Sequence, residues 1–181
     1  MEVKKALEIA KEAGFEVAEP MDPQKLVFRS EVRDMCAVNK CGHYGKKWVC
    51  PPACGTLEEM QGRYKRFRDG VIVQSICRMD DEFDLDAWGE MMKRHRSATK
   101  NLLSTLDTID EEVVPFGSDG CGKCKECAYP DNPCRFPGHA FPSLEACGLV
   151  VGDVCKDNNV PYYYGKNTIA FTGAFLFNPA D

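Results

Sequence analysis

Four thiols share one short loop, Cys121, Cys124, Cys127 and Cys134, in the order Cys-x2-Cys-x2-Cys-x6-Cys. Thiolates are soft ligands suited to zinc and to iron–sulfur clusters, and the spacing bears on which. A cubane presents several iron corners to a wrapping loop. Successive Cys-x2-Cys steps can then each reach a different iron, and a more distant Cys closes the last corner. Zinc is a single point, and a structural zinc site takes one Cys-x2-Cys knuckle plus a second ligand pair from elsewhere. The rhythm points to an iron–sulfur cluster, with zinc as the alternative.

A second group precedes it. Cys36, Cys41, Cys50 and Cys54 follow as Cys-x4-Cys-x8-Cys-Pro-Pro-Ala-Cys, interrupted by His43-Tyr44-Gly45-Lys46-Lys47-Trp48. Two groups of four thiols suggest two centres, each most simply [4Fe-4S]. Lys123, Lys125 and Arg135 in one loop, and Lys40, Lys46 and Lys47 in the other, would favour the more negative, reduced state. Tyr44 and Trp48 could shield the first centre from water. The bland reading is that the lysines only keep the loops soluble.

The whole chain sets limits on these readings. With 181 residues it is expected to form a single α/β domain over 1–181 with a real core. Eleven cysteines is an odd count, so any disulfide scheme leaves a thiol over, and a reducing compartment fits better. The N-terminus is amphipathic, and no apolar run of membrane length follows it, which reads as a cytoplasmic protein. A net charge of −5 gives no long-range attraction to nucleic acid or to an anionic membrane. The expected partner is another redox protein; the oligomeric state is open.

The order Cys, Cys, Tyr-Gly-Lys, Trp, Cys-Pro-Pro, followed by Gly-Thr-Leu-Glu-Glu, resembles a family of uncharacterised, predicted metal-binding proteins of anaerobic bacteria and archaea. The likeness continues through Cys121–Cys134, Cys134-Arg-x-Pro, Pro142-Ser-Leu-Glu-Ala-Cys-Gly and Tyr164-Gly-Lys-Asn, which is most of the chain. It implies metal binding, with iron–sulfur chemistry, and supplies no reaction. The four-Cys loop is also similar to that of bacterial ferredoxins, which place three residues, not six, before the last Cys. Cys36, Cys41 and Cys50 match positions of the family motif, whereas Cys54 does not. Its place in a tight turn before a helix N-terminus argues for ligation, because the amides and dipole there stabilise a thiolate. The alternative is a fourth iron open to water, to His43 or to a substrate.

Patterning supplies the elements that must hold these loops. Val3, Ala6, Leu7, Ala10 and Ala13 make a helical stripe ahead of Gly14, and Phe15–Ala18 reads as a brief strand. Leu26–Phe28 is another extended candidate. Thr56-Leu-Glu-Glu59 is a capping box that starts a helix. Residues 70–77 read as a buried strand, residues 85–109 as a long helix with an acidic start from Asp80 to Asp86, and 113–116 as a second strand. This is a βαβ unit with parallel strands, and the loop 118–142 leaves from the end of the second. Ser143–Cys147 and Asp153–Asp157 are short helical candidates. Residues 162–168 join two strands in a closing β-hairpin, with Ile169, Phe171, Phe175 and Phe177 on one face of its last strand and Ala170, Thr172, Ala174 and Leu176 on the other. The fold class is α/β: a mixed sheet from the βαβ unit and the hairpin, with cysteine loops at 36–54 and 118–142. His95 reads as a half-buried histidine with its needs met inside the protein, and Cys147 and Cys155 as packing. Cys77, at a strand end, is more simply packing than a ligand of the second centre.

Three functions compete. A redox protein that passes single electrons needs two fully ligated clusters and no substrate pocket. An enzyme or activator would keep a substrate-accessible iron or work beside a bound substrate, with His43, His139, Lys46 and Lys47 as polar groups. A zinc-stapled interaction module would have no redox role. Whether the chain is an enzyme is not fixed by the sequence, which lacks a Gly-rich phosphate loop, a Ser nucleophile motif and a Cys-x3-Cys-x2-Cys signature.

Overall fold

The computed structural model describes residues 1–81, 83–109 and 112–180. In chain order the elements are α1 (Val3–Glu12), β1 (Val17–Met21), α2 (Ser30–Ala37), α3 (Leu57–Lys65), β2 (Phe67–Arg78), α4 (Leu85–Leu106), β3 (Val114–Phe116), α5 (Val151–Asp157) and β4 (Thr168–Pro179). Local chemistry sets several boundaries. Thr56 and Glu59 form the expected capping box at the start of α3. Asp84 caps α4 by accepting from the Ala87 amide, so part of the acidic stretch before α4 serves its N-terminus, while Glu82 lies outside the described residues.

The four strands form one sheet in the order β1-β2-β4-β3, and every ladder is antiparallel. The α/β class stands, with two corrections to how the sheet is built. Both β2 and β3 run antiparallel to β4, so they are parallel in direction, as the α4 crossover requires, but β4 lies between them. The terminal hairpin does not form. The segment ahead of β4 is instead held by Gln74, which is fully buried on β2. The Gln74 amide donates to the Pro161 carbonyl at 3.0 Å, and its oxygen accepts from the Tyr164 hydroxyl at 2.6 Å. A buried amide must be paired, and residues 161–164 supply the partners from outside the sheet plane. Leu26–Phe28, also expected as extended, joins no ladder. The reading also missed α2.

Alternation along β4 divides the core as expected. Phe175 and Phe177 pack with Val71, Val73, α1 and α4 on one face. Ala174 and Leu176 pack with Ile72, α3 and the 144–155 segment on the other. Burying such side chains contributes about 1.5–3 kcal/mol each, which makes the sheet a rigid base for the cysteine loops. The loop after β3 is closed at that base: Gly117 bridges Ser143, and its amide donates to Pro142 at 2.9 Å. Among the described residues no helix is long and apolar enough to cross a membrane.

Candidate metal centre

The first thiol group is built from two helices and a turn. Cys36 lies in the last turn of α2, and the chain then reverses where the Asn39 side chain accepts from the Tyr44 amide. Backbone bonds from Gly45 to Pro51 at 2.8 Å and from Cys54 to Cys50 at 3.1 Å fold the segment on itself before α3 begins. Arg33 locks this arrangement to the 145–147 turn. Its guanidinium donates to Ala146 O at 2.7 Å, Gly55 O at 2.6 Å and the Cys54 sulfur at 3.6 Å. Gly148 ends that turn at φ +91°, where a Cβ would stand 2.4 Å from Leu57 and 3.1 Å from the Arg29 carbonyl. Only glycine meets both demands.

Electrostatics show that these four thiols are neighbours. Burial pushes the Cys50 thiol up to about 11, Lys47 opposes, and charge on Cys41, Cys54 and Cys36 would raise it further. Burial also raises Cys36 and Cys54, with Arg33 opposing in both cases. Without a cation Cys36, Cys50 and Cys54 therefore favour the protonated thiol. Metal ligation needs thiolates, so loading this site would release protons.

The second group needs no helix or strand of its own. Cys121, Cys124, Cys127 and Cys134 line one cavity of about 60 Å³, together with Lys47, Trp48, Val49, Lys123, Lys125 and Arg135. The thiols thus border a space rather than meet at a point. Among the described residues, in this loop and in the first group alike, no three or more His, Cys, Asp or Glu side chains are gathered closely enough to hold a metal ion. Burial acts to raise the Cys127 thiol. Amides of Tyr129, Trp48 and Ala128, with the Lys47 ammonium, outweigh it and the net direction is down. The Phe136 amide lies 3.4 Å from the Cys134 sulfur. Amides directed at sulfur and nearby cations are the means by which proteins hold and tune thiolate-bound clusters, so the donor set fits such a group.

The two groups share a segment. Trp48 does not screen the first group alone: its indole donates to Asn132 O at 3.1 Å and stands edge-on to Tyr129, both in the second loop. Lys47 donates to Cys121 O at 3.0 Å. A Cβ on Gly120 would sit 2.9 Å from the His43 ring, so His43 also borders the second loop. His139 lines a neighbouring cavity. Cys147 and Cys155 are fully buried, as expected of packing residues. Cys77 is buried too, and among the described residues it does not line the second cavity. Arg33 was missed by sequence reasoning. Nothing in Val32-Arg-Asp-Met35 signals a partner more than 100 residues away.

Comparison with known proteins bears on the donor set. No curated protein and no solved structure matches the chain. A protein family described as "Predicted metal-binding protein (DUF2284)" matches residues 19–177, which takes in all eight of these cysteines. The chain therefore belongs to this family of predicted metal-binding proteins.

Proposed function

We propose that the chain holds two iron–sulfur centres, each [4Fe-4S], and passes single electrons between them and a redox partner protein. Cys36, Cys41, Cys50 and Cys54 would ligate the first, and Cys121, Cys124, Cys127 and Cys134 the second. The observation that carries the reading is the shared segment. Lys47, Trp48 and Val49 wall the second cavity, and the next residue is Cys50 of the first group. Consecutive Cα atoms are about 3.8 Å apart, so two centres held this way lie close together. Adjacent centres suit transfer of one electron in and one electron out, without a bond made or broken.

The surroundings support the same reading. Lys47, Lys123, Lys125 and Arg135 around the second cavity would favour its reduced state. Met35 and Val38 are 73% and 66% exposed beside Cys36, giving the first centre an apolar margin for a partner to cover. The deciding experiment is metal analysis of protein purified without oxygen. The expected result is a brown protein with about eight irons and eight acid-labile sulfides per chain, bleaching in air. Stoichiometric zinc without iron in such material overturns the reading in favour of a zinc module.

A further inference from the structure

A second, larger cavity of about 180 Å³ adjoins the second thiol group, with Cys121 and Lys123 on the wall of both. Helix α4 forms one side, and residues 117–123 the other. On the α4 wall is His95, 2% exposed. Its Nδ1 is 2.9 Å from the Ser75 hydroxyl, while Nε2 has no hydrogen-bond partner. Buried polar atoms in native proteins are nearly always paired, so each exception asks for a partner such as a bound water or ligand. Nε2 lies near Gly173 of β4, where a Cβ would stand 3.7 Å from it and 3.0 Å from Phe116 O, next to Gly117 on the cavity wall.

The remaining lining gives this cavity a sign and a shape. Arg96 is fixed by Asp119 at 2.5 Å and by Gly120 O at 3.2 Å, so its charge is answered within the protein. Lys100 and Lys123 are exposed and have no ion pair among the described residues. Leu103 and Phe141 supply apolar wall. A pocket with an apolar body and few convergent polar groups is the usual form of a small-molecule site.

We infer that this cavity binds a small organic carboxylate, its charge facing Lys100 and Lys123, its carbon body against Leu103 and Phe141, and a polar group reaching His95 Nε2. The bound molecule lies beside Cys121, which lines both cavities and would help hold the second centre. This goes beyond an electron carrier, which needs no such pocket, and it does not depend on which metal the thiols hold.

The test is calorimetric titration of metal-loaded protein with acetate, propionate, butyrate and lactate, and with propionamide as a neutral match for propionate. The expected result is saturable binding of at least one carboxylate at one site, with propionamide about tenfold weaker than propionate, since a charge-assisted contact is lost. Lys100→Ala, at an exposed position, should weaken carboxylate binding about tenfold and leave metal content unchanged. His95→Gln should reduce any preference for lactate over propionate. In the wild type the His95 ring resonances should shift on saturation. No saturable binding by any of the four carboxylates, or equal binding of propionamide, overturns the inference. So does an affinity unmoved by Lys100→Ala. Metal content measured on the same samples separates that failure from a failure of the iron–sulfur reading.

Discussion

The two thiol groups are held by different means. The first is tied into the fold: α2, α3 and the 145–147 turn meet through Arg33, and Cys50 is buried. The second lies in a loop closed at its base and tied further along by single side chains, Lys47 to Cys121, Trp48 to Asn132 and Arg96 to Gly120, and its four thiols are half-exposed. Charge follows the same division. Burial raises Cys36, Cys50 and Cys54, whereas amides and Lys47 carry Cys127 below its ordinary value. A site built into packing should couple metal to the stability of the whole chain, and a site hung from a closed loop should couple it mainly to the loop.

Paired substitutions test that contrast most strongly. Cys50→Ala and Cys124→Ala should each lose about half the iron, one four-iron centre apiece. The Cys50 variant should also be less stable by about 2 kcal/mol more than the Cys124 variant, seen as a melting temperature about 4–8 °C lower. In the Cys124 variant, increased amide exchange should be confined to residues 118–142 and leave the β2–β4 ladder protected. Equal melting temperatures would remove the distinction between the two sites. Cys147→Ala and Cys155→Ala, which sit in the core, should keep full iron and cost about 1–2 kcal/mol each. Loss of half the iron in either would mean that the ligand sets are drawn wrongly.

Much of the fold around the two groups was legible in the sequence, and the reasons are local. Thr56 and Glu59 announce α3, alternation along 169–177 sorts two core faces, and Gly117 and Ser143 bracket a loop already marked by its cysteines. The remainder depended on long-range pairing. Gln74 pulls residues 161–164 off the sheet plane, which no periodicity within that segment records. Insertion of β4 between β2 and β3 is likewise a choice of partner, invisible in any one strand. His95 was expected to be half-buried with its needs met; it is instead 2% exposed, and only Nδ1 has a partner, Ser75, because the tertiary packing that leaves Nε2 unpaired is not written in the helix periodicity.

His95 also sets an expected pH response of the shared framework. Burial carries its pKa from 6.5 down to about 4, with Arg96 adding to the shift. Between those values the unfolded chain binds the proton and the folded chain does not. The contribution is therefore fully present above pH 6.5, declines as pH falls below it, and is gone near pH 4. Over that window about 3 kcal/mol of stability is at stake. Denaturant titrations across it should give a shallower pH slope for His95→Gln than for the wild type. An unchanged slope would show that His95 is protonated without cost.

The smallest expected effect bears on which site owns residues 47–49. Trp48 precedes Cys50 in the first group, yet its indole bonds to Asn132 and its ring meets Tyr129 in the second loop. Trp48→Phe keeps an aromatic edge for Tyr129 and removes one neutral hydrogen bond, worth about 1 kcal/mol. Iron content should stay the same, because no thiol is touched. The second centre should shift slightly in spectrum or potential, since the Trp48 backbone also supplies an amide to Cys127 and the loop can relax once Asn132 is released. Repeating the substitution in the Cys124→Ala background isolates the first centre, whose spectrum should not change at all. A shift in that background would assign Trp48 to the first centre, and the segment would then belong to the site that precedes it in sequence rather than the one it packs against.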